Sequence, residues 1–225
     1  MKDLIEKILT YLPQYIADFG SLLSGPKRFI AEKNATAEDS FEKALLFSAI
    51  SLVLVVVMFA PLRPAGKDLW THVGGLAVTS LLAVSLYAVA LRLAWRVVGG
   101  KATVKSFFVT YAYFFSALFV IFAGFLLLSE GVFKVLEPEL HAAVLEAKAS
   151  KQPMPDLSGT SVPTVSFLIL ITGYLLATVW GVVAWGSYRA LNGLSKGRSF
   201  VAFIIMGLFG WIIGAIVFFV ASVVT

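Results

Sequence analysis

The chain has 225 residues, of which 59% are hydrophobic and 14% are charged, and its mean hydropathy is +0.90. This composition is too apolar and too poor in charge for an ordinary soluble domain. Because the chain contains no cysteine, it excludes disulfides, thiolate metal sites and thiol nucleophiles. The formal net charge is +5, and its distribution along the chain carries more information than its size.

Residues 1–43 are predicted to form an amphipathic segment on the cytosolic surface. Apolar side chains recur at every third or fourth position from Leu4 to Leu23, with charged side chains between them. This pattern is typical of a helix that lies in the membrane interface, or of one that packs on the ends of the spans. Pro13 is expected to break or kink this helix, and Ser24-Gly25-Pro26 to end it.

Three basic residues follow this first helix. Lys27, Arg28 and Lys33 are predicted to form a basic collar that contacts anionic lipid head groups. Beyond them, Thr36 to Asp39 has the composition of a helix start, with acids near the positive end of the helix dipole.

Five apolar stretches are long enough to cross a membrane. The predicted spans are residues 44–62, 69–91, 106–129, 162–188 and 199–223. Even the shortest covers about 28 Å as a helix, which just crosses a hydrocarbon core. Residues 130–160 are predicted to form an external loop in which Pro138 begins a short surface helix. The predicted fold class is therefore all-α: a polytopic membrane bundle with five transmembrane helices, preceded by an N-terminal amphipathic interfacial helix.

The orientation of the bundle is predicted from the Lys and Arg residues outside the spans. The N-terminal segment and the second and fourth connections hold 13 of them, and the other side of the membrane holds 5. The positive-inside rule therefore places the N-terminus in the cytosol and the C-terminus outside.

Positive charge is concentrated in the second and fourth connections, which contain no acid. Its carriers are Arg92, Arg96, Lys101, Lys105, Arg189, Lys196 and Arg198. Such a surface fixes topology and touches anionic lipid head groups, or it serves as a docking surface for an acidic protein or for lipid phosphates.

The two basic connections resemble each other in sequence. Shifted back by 93 positions, Arg189, Gly193, Ser199 and Phe200 fall on an Arg, a Gly, a Ser and a Phe between residues 96 and 107. This match suggests a unit that occurs twice, namely an apolar helix, a tight basic turn and a second apolar helix. A pseudo-two-fold axis along the membrane normal would then make Arg96 and Arg189 quasi-equivalent.

Small residues are regularly spaced in the last two spans. They are Gly173, Ala177, Gly181, Gly207, Gly210 and Gly214. Such stripes allow helix backbones to approach closely in a bilayer, so these residues are predicted to support helix packing and assembly. The alternative is a set of flexible glycines in a transporter hinge.

The sequence predicts no catalytic, cofactor-binding or metal-binding residues, and no nucleic-acid partner. Asp and Glu are missing from all five spans, which disfavours an ion-coupled carrier. The leading hypothesis is a non-enzymatic membrane protein that scaffolds or regulates a protein partner or its own copies. The alternative is a transporter, channel or lipid-translocating protein with a polar path lined by Tyr111, Tyr113, Thr172 and Tyr174.

Three short motifs accompany the five predicted spans: Gly25-Pro26-Lys27-Arg28-Phe29, the Arg96-Val-Val-Gly-Gly100 turn and the turn from Arg189 to Phe200. In these features the chain resembles the Yip1 domain family of integral membrane proteins. Eukaryotic members have a long soluble N-terminal region and associate with Rab-type GTPases and with one another. This chain is more similar to bacterial members, which implies a protein of the bacterial cytoplasmic (inner) membrane. The resemblance implies no catalytic residue.

Overall fold

A computed structural model describes residues 2–35, 40–60, 68–150, 152–156 and 159–224. The described residues form eight α-helices and no strand. The helices are α1 (Lys2–Ser24), α2 (Pro26–Ala35), α3 (Ser40–Phe59), α4 (Leu69–Val97), α5 (Val104–Leu136), α6 (Pro138–Ser150), α7 (Val162–Asn192) and α8 (Lys196–Val224).

Five of these helices, α3, α4, α5, α7 and α8, are long and apolar enough to cross a membrane. The predicted all-α fold with five spans is therefore confirmed, while the interfacial position of the N-terminal helix stays a prediction. The helices are longer than the apolar stretches that revealed them, since α4 continues to Val97 and α5 to Leu136. The expected helix start at residues 36–39 and the loop after the first span, at residues 61–67, lie outside the described residues.

The segment predicted as an external loop at residues 130–160 is largely helical. It contains the last turns of α5 and all of α6, which begins at Pro138 as the sequence predicts. The two helices are joined by a contact between His141 Nε2 and Glu130 Oε1 at 2.7 Å. The His141 ring also meets the Phe133 ring edge-on at 5.2 Å. The loop is thus ordered by contacts that residue spacing alone does not reveal.

Helix α1 continues through Pro13, so the expected break at that residue is wrong. Tyr11 and Tyr15, on either side of the proline, are buried and hold the two halves of the helix on the bundle. The Tyr15 ring packs on Phe47 of α3 at 4.7 Å. The predicted end at Ser24 is confirmed, and α2 begins at Pro26.

A buried carboxylate anchors α1 and α2. Asp18 is only 3% exposed, although its sequence position suggested a place on the polar face of the helix. It accepts hydrogen bonds from the Tyr11 hydroxyl at 2.8 Å and the Gln14 amide at 2.7 Å. Lys33 Nζ forms an ion pair with it at 2.9 Å. Burial raises the pKa of Tyr11, which keeps its hydroxyl protonated as a donor.

Lys33 is not part of an exposed basic collar, as the sequence predicts, but lies inside the protein. Its side chain is largely buried, and its ammonium lies 5.0 Å from the centre of the Phe29 ring and 5.6 Å from that of Tyr113. Lys33 is therefore part of the internal network, because the carboxylate of Asp18 compensates the charge that burial would otherwise penalise. Lys27 and Arg28 remain exposed.

Helix α5 occupies the centre of the bundle, with α3 on one side and α7 on the other. The second main pair of membrane helices is α4 with α8. Each helix of the hairpin α4–α5 therefore packs on a helix of the hairpin α7–α8, rather than mainly on its own hairpin partner. A two-fold axis that exchanges the hairpins would convert the α4–α8 contact into the α7–α5 contact, as the predicted repeat requires.

Candidate docking site at the paired basic turns

Helices α4 and α7 end in the same local structure. At the end of α4, the Gly99 amide donates to the Arg96 carbonyl at 3.0 Å and the Gly100 amide to the Trp95 carbonyl at 2.8 Å. At the end of α7, the corresponding bonds run from Gly193 to Ala190 at 3.1 Å and from Leu194 to Arg189 at 3.2 Å. These paired bonds satisfy the last carbonyl groups of each helix.

A left-handed glycine makes each of these helix ends possible. Gly99 has a φ of 91° and Gly193 a φ of 63°. Residues with a Cβ rarely adopt such angles, whereas glycine does so at little cost. The two glycines therefore set the direction in which the chain leaves each helix.

The helices that follow also begin alike. The Thr103 hydroxyl oxygen accepts a hydrogen bond from the Ser106 amide at 3.2 Å before α5. The Ser195 hydroxyl oxygen stands in the same relation to the Arg198 amide before α8, at 3.5 Å. Each hydroxyl accepts from one of the amides that the first turn of a helix leaves unpaired.

This capping corrects the predicted quasi-equivalence of Arg96 and Arg189. The helix ends correspond after a shift of 94 positions, which pairs Gly99 with Gly193 and places Arg189 on Trp95. The helix starts correspond after a shift of 92, which pairs Thr103 with Ser195. The first turn is longer by two residues, so the shift of 93 seen in the sequence averages two different registers.

Asn192, the last residue of α7, joins the two turns. Its side chain is buried, and its Oδ1 accepts a hydrogen bond from the Ala102 amide at 3.3 Å. Its Nδ2 donates to the Tyr188 carbonyl at 2.8 Å, which fixes the orientation of the amide. A Cβ on Gly100 would overlap with Asn192 Oδ1 and would lie 2.7 Å from the Trp95 carbonyl oxygen. Glycine at position 100 therefore allows the two turns to meet.

An aromatic cluster lies beneath the turns and links all four helices. The rings of Trp95 and Trp185 are 4.7 Å apart, and those of Phe107 and Tyr188 are 5.4 Å apart. Trp185 Nε1 donates to the Ser199 hydroxyl at 2.8 Å, which ties α7 to α8. Aromatic contacts of this kind contribute about 0.5–1.5 kcal/mol each beyond simple burial.

The seven predicted docking residues lie on these two turns and on the adjoining helix ends. Arg96, Lys101, Lys105, Lys196 and Arg198 are exposed, and Arg92 and Arg189 are half-buried. Within the described part of the chain, none of the seven forms an ion pair with a carboxylate. Because Asn192 holds the turns together, their charges form one continuous surface, which we call the basic surface.

Contacts between the turns orient several of these cations. Arg198 Nη1 would lie 3.6 Å from a Cβ on Gly99, so it reaches across to the other turn. The Arg92 guanidinium lies over the Phe107 ring, 5.7 Å from its centre. Such a cation–π contact fixes the side chain without neutralising its charge.

The predicted packing residues divide into two groups. Gly173 is buried, and a Cβ there would come within 2.5 Å of the Phe125 ring, so it permits close packing of α7 on α5. Ala177 is half-buried beside the rings of α5. At the other four positions, a Cβ would meet no side chain and no neighbouring helix within 4 Å in the described part of the chain: Gly181, Gly207, Gly210 and Gly214. For these glycines a packing role stays a prediction that concerns contacts outside the chain.

The residues proposed for a polar path do not line one cavity. The Tyr111 hydroxyl donates to the Val84 carbonyl at 2.8 Å, whereas Tyr113 is buried on another side of α5 against Phe29. Thr172 and Tyr174 lie on the exposed face of α7. The structure therefore separates the groups that a common transport path would need.

Sequence reasoning found the cations and missed Asn192. Asn192 stands in the second of the two basic connections, and a polar side chain at a helix end can accept hydrogen bonds from a nearby turn. Nothing in the sequence indicates that its partner, the Ala102 amide, is 90 residues away. No protein-family model matches this chain, and no curated protein or solved structure matches it. The resemblance to the Yip1 family therefore remains a prediction.

Gly100→Ala should weaken the contact between the two turns, and so lower the thermal stability, more than Gly193→Ala does. The first variant places a methyl group against Asn192 Oδ1 and the Trp95 carbonyl, whereas the second meets no atom and carries only the left-handed backbone cost of about 1 kcal/mol. Thermal unfolding of the purified protein in detergent should show the larger fall in Tm for Gly100→Ala. Equal falls for the two variants would contradict the turn contact.

Proposed function

We propose that the chain is a non-enzymatic integral membrane protein that scaffolds or regulates an acidic protein partner at its cytosolic basic surface. The observation that carries this proposal is the joining of two separate basic turns through Asn192. Seven cations thereby lie together, and the two connections that hold them contain no acid and no histidine. Clustered Arg and Lys side chains offer anion binding and electrostatic steering.

The proposal places the basic surface in the cytosol and the C-terminus outside. The excess of Lys and Arg on this side supports that orientation through the positive-inside rule. The five apolar helices and the basic turns also support membership of the Yip1 type and a location in a bacterial inner membrane. The partner would approach from the cytosol, and anionic head groups would surround it.

The basic surface should bind an acidic polypeptide in a salt-dependent manner. The protein in zwitterionic nanodiscs is titrated with fluorescent poly-glutamate, and Arg96→Glu, Arg198→Glu should weaken binding about tenfold or more. The matched control is Lys134→Glu, Lys148→Glu, which makes the same change in net charge on α5 and α6 beyond the turns. Equal losses in both double variants would mean that only net charge matters, and would contradict a localised docking surface.

Orientation is checked in the same variants, since charge reversal could invert the protein. Val135 is 79% exposed near the opposite end of α5, and the chain has no cysteine. In intact cells, Val135→Cys should therefore react with a membrane-impermeant maleimide in both the parent and the charge-reversed chain. Labelling only in inverted vesicles would overturn the proposed orientation.

We also propose that copies of the chain associate through α8. This helix is the least buried of the five, and Trp211 and Phe218 beside its glycines are 84% and 77% exposed. In a bilayer, an open glycine stripe allows two backbones to approach closely. Among the residues that the structure describes, no neighbouring helix contacts the glycines of this stripe, so a second copy is the partner that covers it.

Gly210→Leu, Gly214→Leu should abolish this association. Two leucine side chains would fill the stripe and keep the backbones apart, while the monomer has room for them because no atom lies near either position. Light scattering of the detergent-solubilised protein should show a dimer or larger species for the parent and a monomer for the variant. Ile212→Phe, at an exposed position on the opposite side of α8 from the stripe, serves as the control. A monomeric parent would refute the association.

A further inference from the structure

A groove of about 340 Å³ opens between α3, α4 and α5. This volume lies within the range of small-ligand sites, roughly 300–1,000 Å³. Small side chains create the space: Ala49, Ala88 and Ala112, with serines on all three helices. The larger side chains that line it are leucine, valine and phenylalanine, together with Tyr111.

Four hydroxyl groups of the groove have hydrogen-bond partners within the protein. Ser116 donates to Ser48 at 3.0 Å, and the Ser48 hydroxyl donates to the Ala112 carbonyl at 3.4 Å. Ser51 shares a hydrogen bond of 3.1 Å with Tyr15, and Tyr111 is bonded to a backbone carbonyl of α4. The wall therefore presents mainly apolar surface, which suits a hydrocarbon chain better than a polar solute.

The groove has the depth of one membrane leaflet. Its residues on α5 extend from Phe108 to Phe119, a distance of about 16 Å along the helix. A hydrocarbon core is about 30 Å thick, so the groove reaches from the basic end to roughly the bilayer midplane. A lipid acyl chain in that leaflet can enter it laterally.

Positive charge stands at the basic end of the same groove. Lys105 precedes Phe108 by one helical turn and is exposed, so it lies above the groove on the same face of α5. Arg92 follows Ala88 by one turn on α4, and its guanidinium lies between α4 and α5 over Phe107. A phosphate at this level would meet both cations while its acyl chain fills the groove.

We infer that the groove between α3, α4 and α5 binds one anionic phospholipid of the leaflet that faces the basic surface. The acyl chain lies against Ala49, Ala88 and Phe119, and the head-group phosphate lies near Lys105 and Arg92. The site shares Lys105 and Arg92 with the basic surface, whereas the apolar lining of the groove lies outside that surface. Its test leaves Arg96 and Arg198 unchanged.

The test compares lipid retention in two tryptophan variants of neighbouring residues. Ala88→Trp fills the groove, whereas Val89→Trp projects from the 58% exposed position beside it, outside the groove. The proteins are purified from nanodiscs that contain equal parts of phosphatidylglycerol and phosphatidylcholine, and retained lipid is counted by native mass spectrometry. The parent and Val89→Trp should each retain one phosphatidylglycerol, and Ala88→Trp should lose at least nine-tenths of it.

Lys105→Gln tests the head-group end. Loss of one surface cation should reduce the preference for phosphatidylglycerol over phosphatidylcholine about fivefold, while an acyl chain is still retained. An unchanged preference, or equal lipid retention in Ala88→Trp and Val89→Trp, would overturn the proposed site.

A labelling experiment on the unmodified protein covers the case in which Ala88→Trp fails to fold. Phosphatidylglycerol with a photoactivatable group on its acyl chain should label residues 45–52, 81–88 and 108–119. Labelling confined to α7 and α8 would show that the lipid lies elsewhere. Poly-glutamate binding measured beside it distinguishes failure of this site from failure of the docking surface.

Discussion

The contact of Asn192 with the turn after α4 is the constraint on which the arrangement of the membrane helices depends. It fixes the end of α7 against the beginning of α5, and the Trp95–Trp185 contact beneath it continues the same junction. Each hairpin packs mainly on the other hairpin, so its own two helices are free to diverge below the turn. The same junction collects the cations of both turns on one surface. One junction at this end of the bundle therefore determines both how the helices pack and where the positive charges lie.

Because the two helices of each hairpin diverge, two surfaces of the molecule remain uncovered, namely the groove beside α5 and the glycine stripe of α8. Helix α5 is covered on two sides by α3 and α7, while α4 reaches its main partner α8 and leaves space beside α5. That space is the groove, because alanine and serine side chains line it and cannot fill it. Helix α8 has one packed face toward α4 and leaves its glycines open. In a bilayer such surfaces meet lipid or another helix, and the hydrophobic effect does not close them.

The features that the sequence predicts are those set by local composition. The number of spans follows from the length of the apolar runs. The end of α1 follows from Ser24-Gly25-Pro26, and the beginning of α6 follows from Pro138. The cations of the candidate site could be named because charge clusters are visible in the chain. The sequence does not show which distant residues contact each other. Asp18 has the spacing of a surface acid, and its burial depends on the ion pair with Lys33, which is 15 residues away, together with hydrogen bonds from Tyr11 and Gln14.

The internal repeat also depends on contacts that the sequence does not show. The sequence match has a single shift of 93 positions, whereas the capping hydrogen bonds correspond after a shift of 94 at the helix ends and of 92 at the helix starts. The most direct test keeps every charge of the basic surface and removes only the hydrogen bond between Asn192 and Ala102 that links the two turns. Asn192→Leu does so, and its poly-glutamate affinity would be measured beside hydrogen exchange at the Ala102 amide. The variant should show faster exchange together with weaker binding, because the cations would no longer lie on one surface. Faster exchange with unchanged affinity would show that each turn binds independently and that Asn192 does not create a joint docking surface.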